Sequence, residues 1–130
     1  MQVIRYPSDT ASIAQPELRE LIEATIRDLS QDYKYDPDEL GHFVIYEHQD
    51  TIEQLSAHMG FDILSNRWTG IRYRQDGFGP CFELVAEHPG WYEIVFIISN
   101  DFGITVYVPI ADWVDPDLIA MCQQYATGAV

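Results

Sequence analysis

Between Pro16 and Tyr33 the apolar positions Leu18, Leu21, Ile22, Ile26 and Leu29 recur at helical spacing, with Thr25 on the same stripe. Glu17, Glu20, Glu23, Arg27, Asp28 and Gln31 fall on the other side, so 16–33 is expected as an amphipathic helix. Pro16 suits its first position, because the missing N–H would have no partner there in any case. Glu17 and Glu20 complement the positive end of the dipole, and Glu23 with Arg27 has the spacing of an i,i+4 pair. Asp28 and Asp32 sit near the negative end, where acids are disfavoured, which suggests that negative charge is kept there for another reason.

After the turn signal Asp36-Pro37-Asp38, the run Phe43 to Tyr46 is β-branched and aromatic and reads as a strand. Asp50 and Glu53 stand at capping-box spacing, Ile52, Leu55 and Met59 follow, and Gly60 supplies a stop, so a short helix is expected over 50–59. Gly70, Gly77, Gly79 and Pro80 punctuate a loop-rich middle. The clearest pattern is a meander of 81–87, 91–99 and 104–109, joined by His88-Pro89-Gly90 and by Asn100 to Gly103, both of hairpin length. Its middle strand is apolar on both faces and has to be covered twice; a homodimer is one way to supply the second cover. Asp115 and Pro116 open a last helix over 115–126. The expectation is one α+β domain, 1–130. In it an antiparallel sheet of about four to five strands, with the three-stranded C-terminal meander, packs on helices 16–33, 50–59 and 115–126.

Composition agrees with a folded chain: 47% of its 130 residues are hydrophobic and 13% aromatic, far too rich for disorder. Charge adds more. Twenty-one acids against seven Lys and Arg give a formal net charge of -14, and from Gln75 to Val130 there are eight carboxylates without one Lys or Arg. Such a field repels nucleic acid and anionic membrane and attracts basic surfaces, at a rate that falls with added salt. No apolar run is long enough to span a bilayer and no secretory leader is seen, so the expected location is the cytoplasm. Cys81 and Cys122 lack metal spacing and are expected as reduced, buried thiols.

Specific chemistry is thinly supported. Asp36, Asp38, Gly41, Phe43 and Glu47 match parts of a calcium-binding loop, but Leu40 stands where an oxygen ligand belongs and a strand follows where a helix should. Asp36 and Asp38 then serve as turn formers. The four histidines show no zinc spacing, so neither metal nor cofactor is expected. An enzyme would have to rely on His48 as base, oriented by Asp50 or Glu47, with no nucleophile in view. Arg67, Arg72 and Arg74, interleaved with Trp68 and Tyr73, form the one basic island and are expected to hold nearby carboxylates such as Glu83, Glu87 or Glu93.

The acids of the first helix (Glu17, Glu20, Glu23, Asp28, Asp32) and the group Asp112, Asp115 and Asp117 form two acidic ridges. Carboxylates along a helix at roughly 5–6 Å spacing can imitate a row of phosphates. The expected function is a non-enzymatic binding module that occupies a basic surface of a partner protein, of the inhibitor, immunity-protein or nucleic-acid-mimic type. The alternatives are a small acidic chaperone of secretion type that binds apolar segments, and a small enzyme using the Glu47 to Asp50 cluster.

Overall fold

The computed structural model describes residues 1–32, 34–64, 81–99 and 102–127. Six strands form one sheet: β1 (Gln2–Ile4), β2 (Gly41–Ile45), β3 (Cys81–His88), β4 (Trp91–Ser99), β5 (Phe102–Pro109) and β6 (Ala126–Thr127). Their order is β1-β2-β5-β4-β3-β6. Among the described residues three helices cover it: α1 (Pro16–Asp32), α2 (Ile52–Met59) and α3 (Pro116–Tyr125). The α+β class and the three-stranded meander therefore stand as the sequence implies.

The sheet is mixed, not antiparallel throughout, because β2 runs parallel to β5 and β6 parallel to β3. Strand direction is written locally only where tight turns join neighbours, as at Pro89-Gly90 between β3 and β4. A strand that reaches its place over a long stretch of chain carries no such mark. The short strands β1 and β6 and the 3-10 turn Pro7–Ser12 also lack the periodicity that would have announced them.

Alternation along β2 decides the layering. Phe43 and Ile45 face α1, where they join Ile4, Ile13, Leu18, Ile22, Ile26 and Tyr107 in one core. Val44 and Tyr46 face the other way, into a larger core built from α2, α3 and Ile94, Phe96, Ile104, Val106 and Val108. Each apolar stripe of a helix thus meets one face of the pleat, and both faces of β2 are buried.

Local signals explain the ends. Thr51, not Asp50, caps α2: its side chain accepts from the Gln54 amide, and Gln54 reciprocates to the Thr51 amide. Gly60 ends that helix in the left-handed region, at φ 88°. Asp115 caps α3 by accepting from the Asp117 amide at 2.9 Å. Gly41, at φ 116°, lies against Gly103 across the β2–β5 pairing so closely that any Cβ would run into the Gly103 carbonyl.

Candidate functional site

On the α1 side of the sheet the cover is incomplete among the described residues. The alternation of β4 points Trp91, Glu93, Val95 and Ile97 to this face, and the opposite set, Tyr92, Ile94 and Phe96, into the α2–α3 core. Helix α1 packs over β1, β2 and Tyr107 of β5. Between α1 and β4 lies an open groove of about 880 Å³. Its walls include Leu29, Phe43, Val95 and Ile97; Glu39 and Glu93 bring carboxylates, and no Lys or Arg among the described residues lines it. The expectation that β4 needs two covers is met on one face and left partly open on the other.

Glu93 is the one charged residue in β4. Its Oε1 accepts a hydrogen bond from His88 Nε2 at 2.8 Å, and the two side chains remain 20% and 33% exposed. Oε2 has no partner among the described residues. Glu93 stands directly across the β4–β5 pairing from Tyr107. The Tyr107 hydroxyl is fully buried beside Thr25 and Glu93, with no hydrogen bond of good geometry among the described residues, and burial pushes its pKa well up. Trp91 Nε1 is likewise a buried donor without a partner among the described residues. Two such donors, unpaired among the described residues, are uncommon in one neighbourhood, since a buried polar group left unpaired costs about 1–3 kcal/mol. Tyr35, on the groove's far wall, donates to the Arg5 carbonyl at 2.8 Å, and burial raises its pKa to about 12.

The expected site residues fall into separate places. Glu17, Glu20, Glu23 and Asp28 are all exposed on the outer side of α1. The Asp32 side chain lies outside what is described. Glu23 and Arg27 do not close the ion pair their spacing suggested; both instead border a small hollow against the 3-10 turn, with Pro7 and Ile26. Asp112 and Asp117 are exposed at the start of α3, and Asp115 is occupied as its cap. Because α1 and α3 lie on opposite faces of the sheet, the two acidic ridges do not merge into one surface.

The catalytic fallback is not assembled. Asp50 Oδ1 accepts from the Met1 ammonium at 2.6 Å, its Oδ2 accepts from the Glu47 amide at 2.7 Å, and the Glu47 carboxylate lies 3.5 Å from the same ammonium. Burial alone would lower the pKa of that ammonium, but the hydrogen bonds and charges of Asp50 and Glu47 leave it raised. His48 turns away to lie against Trp113, at 5.1 Å between ring centres, with no hydrogen bond to Glu47 or Asp50. The calcium-loop match dissolves for the same geometric reason. Asp36 Oδ1 accepts from the Asp38 amide in a local turn, whereas Glu47 lies past the far end of β2, roughly 17 Å of strand away. Among the described residues no three His, Cys, Asp or Glu side chains gather to hold a metal. Arg67, Arg72 and Arg74 lie outside the described residues, and Glu93, one of the carboxylates proposed for them, is engaged by His88. Cys122 is a buried free thiol whose pKa burial pushes up to about 12, which makes it inert as a nucleophile; the Cys81 side chain is not among those described.

The histidine arrangement that does form is one the sequence concealed. His42 of β2 and His58 of α2 meet Nε2 to Nε2 at 2.9 Å, with ring centres 5.2 Å apart. That separation is the bond length plus two ring radii, so the rings point at each other head on and one N–H serves both. Burial, the neighbouring His58 and Arg5 push the His42 pKa down to about 4, and burial with Arg5 lowers that of His58. Compared with protein-family models, curated proteins and solved structures, the chain finds no match.

Proposed function

We propose that this protein is a non-enzymatic acidic binding module of the cytoplasm that occupies a basic surface of a partner protein, through the outer side of α1. One observation carries the reading: Glu17, Glu20, Glu23 and Asp28 stand exposed along one side of a helix, and none has an ion-pair partner among the described residues although Arg19 and Arg27 share that helix. Carboxylates that a protein uses to stabilise itself are paired, as Asp50 is here with the Met1 ammonium. Unpaired carboxylates at helical spacing cost self-repulsion, and a cationic partner relieves it. Exposed pairs are worth only about 0.2–1 kcal/mol each, so the ridge chiefly accelerates encounter and sets orientation, and apolar contacts have to supply the remaining affinity.

Because the α3 acids face the opposite way, a flat partner engages the α1 ridge or the Asp112 to Asp117 group, not both. The ridge on α1 is favoured because it adjoins the open groove: Asp28 follows Thr25 by three positions and so flanks the helix on the groove's side. Capture from a native lysate at low salt, followed by a salt gradient, tests the reading. A basic protein retained by the wild-type chain and released by moderate salt supports it. Retention of proteins without regard to their charge, unaffected by salt, overturns it in favour of apolar, chaperone-like binding.

A further inference from the structure

We propose that the groove between α1 and β4 is a receptor for an arginine side chain of the basic partner, with Glu93 as its counter-ion. The inference rests on the acidic-module reading and adds to it the pocket and the residue type it accepts.

The argument starts from what the groove offers. At about 880 Å³ it is large enough for a ligand of drug or short-peptide size. Its floor is aliphatic at Val95 and Ile97, its α1 wall at Leu29, and Leu84 on the neighbouring strand is an exposed apolar side chain continuing the same face. Into this apolar setting one carboxylate projects, that of Glu93, with Oε1 held by His88 and Oε2 free. Glu39 stands at another edge, and no described cation lines the groove to neutralise either acid. A partly desolvated carboxylate with one open oxygen, set among aliphatic walls, is complementary to a long apolar stem that ends in a charge.

Arginine fits this better than lysine for three reasons. A guanidinium is more weakly hydrated than an ammonium, so it loses less on entering a half-buried site. Its several N–H groups can reach the open Glu93 oxygen and also the Thr25 and Thr105 oxygens that line the groove. Its planar head can stack on an aromatic face, which Tyr35 and Phe43 supply. His88 holds Oε1 and is not among the described residues that line the groove.

The probe is arginine amide, with lysine amide beside it, titrated into the full chain at low salt and followed by NMR. The readouts are the Trp91 indole N–H and the backbone amides of Val95, Ile97 and Thr105. The expected result is a saturable shift at these positions, stronger for arginine amide, and a loss of affinity of about tenfold or more in Glu93→Gln. That replacement keeps the shape and can still accept from His88. No shift at these positions, an unchanged affinity in Glu93→Gln, or an equal response to lysine amide each overturns the assignment. The chain's own Arg67, Arg72 and Arg74 are a competing source of the same chemistry. If the probe binds only once all three are replaced by glutamine, an internal arginine is the occupant and the partner-derived one is overturned. The salt-gradient capture described above does not depend on Glu93. A chain that retains a basic partner at low salt but ignores arginine amide therefore loses the groove assignment alone.

Discussion

Replacing Gly41 with alanine drives a methyl group into the Gly103 carbonyl across the β2–β5 pairing, at a φ that L residues avoid. The expected cost is on the order of 2–4 kcal/mol, read as a lower urea midpoint, and a shift below about 0.5 kcal/mol would contradict that strand pairing. The His42–His58 bond makes a prediction in pH. Unfolded, His42 binds a proton near its usual 6.5, while folded it resists protonation until about 4. Between those values the unfolded chain holds the extra proton, so the contribution is complete above 6.5 and is lost as acid is added through that window. His42→Leu should flatten the fall in stability between pH 7 and 5, and an unchanged slope would show that His42 is not held in the buried site against His58. Neither residue was legible beforehand. His42 and His58 are sixteen apart in unrelated elements, and Gly41 looked like part of a calcium loop because only the pairing with Gly103 reveals its purpose.

At the scale of elements, β4 separates two kinds of burial that a uniformly apolar strand conceals. Phe96 points into the α2–α3 core and is fully buried, whereas Trp91 is half-buried on the α1 side. Phe96→Ala should therefore cost about 3–5 kcal/mol, and Trp91→Ala clearly less, by chemical denaturation. Equal losses would mean that the groove side of β4 is as closely packed as the other. The helices and the hairpin strands were readable because periodicity and turn residues are local: Leu18, Ile22 and Ile26 on one stripe, Pro89-Gly90 between two apolar runs. The capping of α2 was readable only within one residue, since Asp50-x-x-Glu53 and Thr51-x-x-Gln54 both satisfy the pattern. What decided between them was the Met1 ammonium, which claims Asp50 from a distant part of the chain. Strand direction was not readable for β2, because its neighbours arrive from both ends of the sequence.

Across the whole molecule, a net charge of -14 is distributed over both faces of a sheet covered by helices on each side. The sequence predicted two acidic ridges but could not tell that α1 and α3 would be set back to back. Nor could it show that Glu93, alone in an apolar strand, would stand in an open groove; a solitary charge in such a run was the available signal. The α1 side carries exposed carboxylates beside an apolar recess, and under the proposed function this is the face that meets a cationic partner. The most direct measurement is the dissociation constant of the captured basic partner as sodium chloride is raised, for the wild type and for a chain with Glu17, Glu20 and Glu23 changed to Gln and Asp28 to Asn. The account predicts steep weakening with salt for the wild type, and weaker, nearly salt-independent binding for the neutralised chain. Equal affinity and equal salt dependence in the two chains would contradict it.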